Sequence, residues 1–236
     1  MRRLFLTLGL SLVVSACGSE AETTPAAEHG AALAASPSLS GSSFNTLACT
    51  SCHAVAPGDE RILAGYPLAG AAARPSWWGG KILDLREAVD FCLVYFMKGD
   101  PLDPASEEGR ALYDYLLSID RDGPTEALPL TVVQRIEEAP PRGDAARGAE
   151  VHRLACGGCH GEPSTGAGRL VAAAPILPDQ AREEALEAFP EFEPALVFTE
   201  KVRHGQFFGV GGNMPLYSLE ALSDEDLGAL LSFYGL

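Results

Sequence analysis

The motif Cys49-Thr50-Ser51-Cys52-His53 recurs as Cys156-Gly157-Gly158-Cys159-His160, and no other feature limits the possible folds as strongly. In Cys-x-x-Cys-His the two thiols are spaced to form thioether bonds with the vinyl groups of one haem, and the next residue sets an imidazole beneath the iron. Two copies predict two covalently bound haem c groups, attached through Cys49, Cys52, Cys156 and Cys159, with His53 and His160 as proximal iron ligands. Zinc would require both motifs to merge into one closed four-ligand set. Redox CxxC chemistry expects a βαβ setting that the pattern lacks, and two small disulfides would leave both histidines unexplained.

The repeat extends beyond the motif. Leu47-Ala48 precedes the first copy and Leu154-Ala155 the second, and each half closes on an amphipathic helix. Leu112, Tyr115, Leu116 and Ile119 recur at helical spacing, as do Leu227, Leu230, Leu231 and Tyr234. Ser106 and Ser223 precede acidic residues as N-caps, and Asp226 completes a capping-box pattern in the second helix. Alternating strand patterns are scarce, so the expected fold is all-α, with two tandem domains at 43–122 and 143–236, each wrapped around a haem. Between them, residues 123–142 contain Pro124, Pro129, Pro140 and Pro141, which interrupt helices and suit a linker.

Residues 1–16 carry two arginines, an apolar run from Leu4 to Val14 and then small residues, the pattern of a secretory signal. Val14-Ser15-Ala16-Cys17 resembles a bacterial lipobox, which implies lipidation of Cys17 and an exported, periplasm-facing protein anchored to a bacterial membrane. No segment approaches the ~20 apolar residues of a membrane span. Residues 17–42 are small and polar, and are expected to form a flexible tether that includes His29, to which no role is assigned. The formal charge is −15, or about −17 once Arg2 and Arg3 are removed, which disfavours nucleic acid and favours redox partner proteins with basic docking surfaces.

With GDAARGAEVHRLACGGCHG at its start, Gly212-Asn213-Met214-Pro215 later and a final helix after LSDEDL, the second half resembles a class I cytochrome c domain, and the whole chain resembles two in tandem. The resemblance implies Met214 as the distal ligand opposite His160. His152 and His204 occupy no ligand position and are read as surface histidines; Arg169, Lys201 and Arg203 are read as solvated charges. The acidic run 182–193 is read as a solvated helix face, and Trp77-Trp78 as aromatic packing near the first haem.

The distal ligand of the first haem has two candidates, Cys92 and Met97. Met97 lies nine residues before Ser106, as Met214 does before Ser223. Matching Gly99 with Gly205 as helix ends instead leaves seven residues before Ser106 against eighteen before Ser223, so the first domain lacks the methionine-bearing loop. Five residues along a helix rotate a side chain by about 140°, so one of the two sulfurs is expected to pack away from the iron. Val89-Asp90-Phe91-Cys92, Met97-Lys98-Gly99, Leu102 and Ser106 are similar in spacing to the dihaem thiosulfate dehydrogenase and sulfur-oxidising cytochrome group, in which a helix cysteine is the distal ligand. Cys92 is therefore preferred.

The resulting expectation is an electron carrier working by outer-sphere transfer. The alternative is an enzyme joining two thiosulfates to tetrathionate, for which Arg61, Arg74, Lys81, Arg86 and Lys98 are the available cations. Asn213 stands where those enzymes can carry an exchangeable lysine, which puts a ligand switch in doubt.

Overall fold

The computed structural model describes residues 24–119, 123–205 and 213–236. The signal segment and Cys17 lie outside these. The described residues are helical, and bridges such as His53 to Gly65 and Trp77 to Ile82 stand in place of strands. None of the described helices is long and apolar enough to cross a membrane.

The first half contains α1 (Pro25–Ala34), the single turn α2 (Cys49–Cys52), α3 (Leu85–Tyr95) and α4 (Glu107–Ser118). The second contains α5 (Ala145–Val151), α6 (Gly157–His160), α7 (Asp179–Ala188), α8 (Pro194–His204) and α9 (Asp224–Tyr234), with a π-helical turn at His152–Cys156. Ser106 caps α4 by accepting from Gly109 N at 2.9 Å, and Ser223 caps α9 by accepting from Asp226 N at 3.1 Å. Asp226 spends its carboxylate elsewhere: Arg147 of α5 donates to it twice, at 2.8 and 3.0 Å.

Residues 25–42 are not a flexible tether. Thr24 accepts from Ala27 N at 3.2 Å and Pro25 opens the first turn of α1, which packs on α4 with Ala27, Gly30 and Ala34 buried. The contact depends on smallness rather than on large apolar side chains, so it leaves no leucine period in the sequence. A Cβ on Gly30 would lie 2.0 Å from Ala111 O. The second half repeats this arrangement, since a Cβ on Gly148 of α5 would lie 2.1 Å from Ala229 O of α9. The two halves thus share a glycine-mediated helix crossing.

The second core gathers Val151, Leu177, Phe198, Val202, Leu222, Leu227, Leu230 and Leu231. Each fully buried leucine there contributes about 2 kcal/mol. The first core joins Ala34 of α1 to Leu112, Tyr115 and Leu116 of α4, beside a smaller group of Leu47, Leu93 and Met97.

The segment between the halves is extended and bonded to both. Pro129 O accepts from Tyr66 Oη at 2.6 Å and Pro124 O from Arg74 Nε at 3.0 Å, while Thr131 N donates to Glu220 at 2.8 Å. The halves also touch directly, through Ile62 N donating to Leu154 O at 3.0 Å.

Candidate functional site

At the first motif, α2 places Cys49 and Cys52 one turn apart, and His53 leaves the helix in an extended conformation. Its Nδ1 lies 2.7 Å from Tyr66 O. A carbonyl only accepts, so Nδ1 carries the proton and Nε2 keeps its lone pair, the form in which imidazole binds a metal. Burial, outweighing the opposing pull of the Tyr66 carbonyl, holds the imidazole below its ordinary pKa and thus neutral. Gly65 lies against the ring, where a Cβ would come within 2.2 Å of His53 Cε1.

His53 opens onto a cavity whose wall is mainly aliphatic and aromatic. Both Cys92 and Met97 line it. Their surroundings differ. Met97 is 4% exposed and wedged against Leu47 and Leu93, whereas Cys92 stays partly accessible, and its thiol is pushed up to about 12 by burial and then by the nearby Cys49 and Cys52. Cys92 and Met97 thus both reach the cavity, Met97 from the more tightly packed position. Helix α3 ends at Tyr95, earlier than Gly99; Lys98 takes the left-handed conformation at φ 56° and Gly99 N reaches back to Leu93 O at 3.0 Å.

The wall fits a haem on an independent ground. Trp77 Nε1 is buried beside the cavity with no hydrogen-bond partner. A buried orphan donor is costly, and an acceptor such as a propionate carboxylate entering the cavity would satisfy it.

The second motif repeats the proximal arrangement. His160 Nδ1 donates to Pro175 O at 2.9 Å, and burial again holds the ring below its ordinary pKa. Met214 is partly buried against the second core, and its carbonyl meets the end of α8 at Gly205, where a Cβ would lie 2.5 Å away. Residues 206–212, which complete the Gly-rich loop, lie outside the described residues.

Several readings of single residues change. His152 is buried, with Nδ1 2.5 Å from Tyr234 Oη and Nε2 2.9 Å from Gly161 O, so it joins α9 to the end of the motif rather than facing solvent. His204 bridges Glu200 and Val133 O, each at 2.5 Å, and ties α8 to the linker. Arg203 is 1% exposed; it donates to the carbonyls of Tyr217, Ser218 and Leu222 and to Asp224 Oδ1, holding the segment after Met214 in place. Lys201 pairs with Glu184 at 2.7 Å and Arg169 donates to Ala174 O at 3.3 Å. The acidic run is solvated only in part, because Phe189 is buried and Phe192 packs beside it against Val197.

Of the candidate cations near the first site, Arg74 lines the cavity and Lys81 is exposed. Arg61 is paired with Asp59 at 2.6 Å, Arg74 is buried and donates to the carbonyls of Pro124, Pro67 and Ala69, and Arg86 lies over the Tyr113 ring. Lys98 Nζ donates to Tyr95 O at 2.7 Å. Trp78 stacks with Phe96 and tilts against Phe91 as expected of aromatic packing. Among the described residues no group of three or more His, Cys, Asp and Glu side chains is arranged to hold a metal ion.

Sequence reasoning missed the carbonyl partners of both histidines. Their signal was a proline shortly downstream of each motif: Pro67 directly follows Tyr66, and Pro175 is itself the acceptor.

Among solved structures, the chain is similar to the thiosulfate dehydrogenase (TsdBA) from Marichromatium purpuratum in its as-isolated form, with 18% identity and a TM-score of 0.42 over 89% of this chain. It spans 45% of that chain's length. No curated protein matches the chain. Residues 143–233 match the family described as cytochrome c oxidase, cbb3-type, subunit III. The second half of the chain is therefore a cytochrome c domain, to which a covalent haem c belongs.

Proposed function

We propose that the protein is a dihaem c-type cytochrome carrying electrons between redox partners. The observation that supports this most is the matched pair of motif histidines. Each donates Nδ1–H to a carbonyl, at 2.7 and 2.9 Å, and keeps Nε2 free beside its two attachment cysteines. Haem bound at such a site supplies reversible one-electron chemistry, with its potential set by axial ligand, burial and hydrogen bonding.

The chain's own residues do the rest. Cys49 with Cys52, and Cys156 with Cys159, hold the two groups; His53 and His160 ligate from the proximal side. Met214 serves as distal ligand in the second domain and Cys92 in the first, with Met97 as packing. The domains run from Thr24 to about residue 122 and from 143 to 236, with 123–142 between. Cys17 is the lipid attachment point of an exported, periplasm-facing protein, and the acidic surface steers partners with basic docking faces.

The sulfur-enzyme alternative needs cations gathered for an anionic substrate. Arg61, Arg86 and Lys98 are instead engaged with other groups, Arg74 lines the cavity but donates to backbone carbonyls, and Lys81 is exposed, so the carrier reading is preferred. The test is a haem count per chain by pyridine haemochrome and mass, with spectra of Cys92→Ala and Met97→Ala and a thiosulfate-dependent reduction assay. Two haems, loss of a thiolate-type low-spin signal in Cys92→Ala alone, and no tetrathionate are expected. Tetrathionate formation would overturn the carrier reading.

A further inference from the structure

The segment Met214-Pro215-Leu216-Tyr217 belongs to both halves. Met214 is the distal candidate of the second site, yet Pro215 and Leu216 line the cavity of the first. Tyr217 follows, 8% exposed within the second core; its hydroxyl donates to Ala155 O at 3.0 Å, next to Cys156, and its N–H to Val202 O at 2.9 Å. From the other side, Ile62 and Ala64 of the first half pack on this same core, and Ala64 also lines the first cavity.

The halves close on one another at this point: Ile62 N of the first half donates to Leu154 O at 3.0 Å, directly beside Ala155, the acceptor of the Tyr217 hydroxyl. Tyr217 thus stands at the seam of the two halves, beside the second motif and directly after the two residues that wall the first cavity, positioned by its bond to Ala155 and by Arg203, which donates to its carbonyl at 3.1 Å.

We propose that Tyr217 is a positioning residue that keeps the seam between the two haem sites filled and free of water, so that the charge on one site is felt by the other. The proposal rests on the dihaem reading. An electron added to either site then lowers the electron affinity of its neighbour, and by linkage the effect is equal in both directions. Water in the seam would screen that effect; exchanging an effective dielectric constant of about 20 for about 80 reduces the coupling free energy to about a quarter.

The experiment is a spectroelectrochemical titration of the full-length holoprotein, comparing wild type, Tyr217→Phe and Tyr217→Ala. Spin–spin broadening between the two ferric centres reports their separation. A haem count of one per chain would refute the dihaem reading itself, whatever Tyr217 does. With two haems bound, wild type and Tyr217→Phe are expected to show the same coupling, and Tyr217→Ala a fall toward a quarter of it at unchanged broadening. Full coupling in Tyr217→Ala, equal loss in Tyr217→Phe, altered broadening, or no coupling in the wild type would each overturn the proposal. If Tyr217→Ala does not load both haems, Tyr217→Thr vacates the ring's volume while keeping a branched side chain, and it carries the same expectation.

Discussion

Replacing Gly65 by alanine tests the proximal geometry of the first site through a single methyl group. The new Cβ would stand 2.2 Å from His53 Cε1 and 2.4 Å from Nδ1. Ordinary contact between carbon atoms begins near 3.5 Å, so the ring must retreat by about 1.3 Å or the loop must move. Gly65 is itself pinned, its N–H donating to Cys52 O at 2.8 Å, so the imidazole gives way. Overpacking of this kind costs about 1–3 kcal/mol, and losing the 2.7 Å bond from His53 Nδ1 to Tyr66 O adds about 1 kcal/mol. A loss of about 2–4 kcal/mol is therefore expected in thermal or denaturant unfolding of the holoprotein. A shifted spectrum and midpoint should appear at the first haem, with the second unchanged. Gly65→Ala with wild-type stability and an unaltered first-site spectrum would refute the reasoning, because no backbone strain is available to blame or to relieve.

Three further outcomes follow from other parts of the molecule. Met97→Ala should cost about 2–4 kcal/mol in denaturant titration, as expected for a buried methionine, since Met97 is 4% exposed against Leu47 and Leu93; Cys92→Ala should cost less and change the first-site spectrum. Gly30→Ala should destabilise the first half by about 1–3 kcal/mol, because the added methyl forces α1 off Ala111; a neutral result by calorimetry would restore the view of this region as a tether. Glu220 is partly desolvated, which alone would raise its pKa, but hydrogen bonds from Thr131, its own N–H and Ser218 outweigh this and hold it at about 2, below the ordinary 4.5. Its contribution is therefore present above pH 4.5 and lost as pH falls toward 2. Because the side chain is exposed, the loss should be below about 1 kcal/mol, seen as an acid-dependent difference between wild type and Glu220→Gln.

How much of this was legible in the chain depends on how local each feature is. Both Cys-x-x-Cys-His motifs were readable because each is written in five consecutive residues. The caps at Ser106 and Ser223 were readable because each needs only the first turn of its own helix. Helix α1 was missed because its contact with α4 is made by Gly30 and alanines, which give no periodic apolar signal. His152 and Arg203 were misread for a related reason: polar residues look like surface until partners far along the chain, such as Tyr234 and Leu222, are seen to satisfy them.

The amino-acid sequence alone determined that this is a helical chain with two Cys-x-x-Cys-His motifs. It also narrowed the first site's distal sulfur to Cys92 or Met97. Only the tertiary structure shows that both sulfurs border one cavity and that Met97 is the one wedged against Leu47 and Leu93, because a helix pattern says which residues share a stripe, not what each of them meets. Nor could any local pattern reveal that Pro215 and Leu216, next to the second site's methionine, wall the first cavity. That proximity comes from packing the two halves together, and packing joins residues that the sequence keeps far apart.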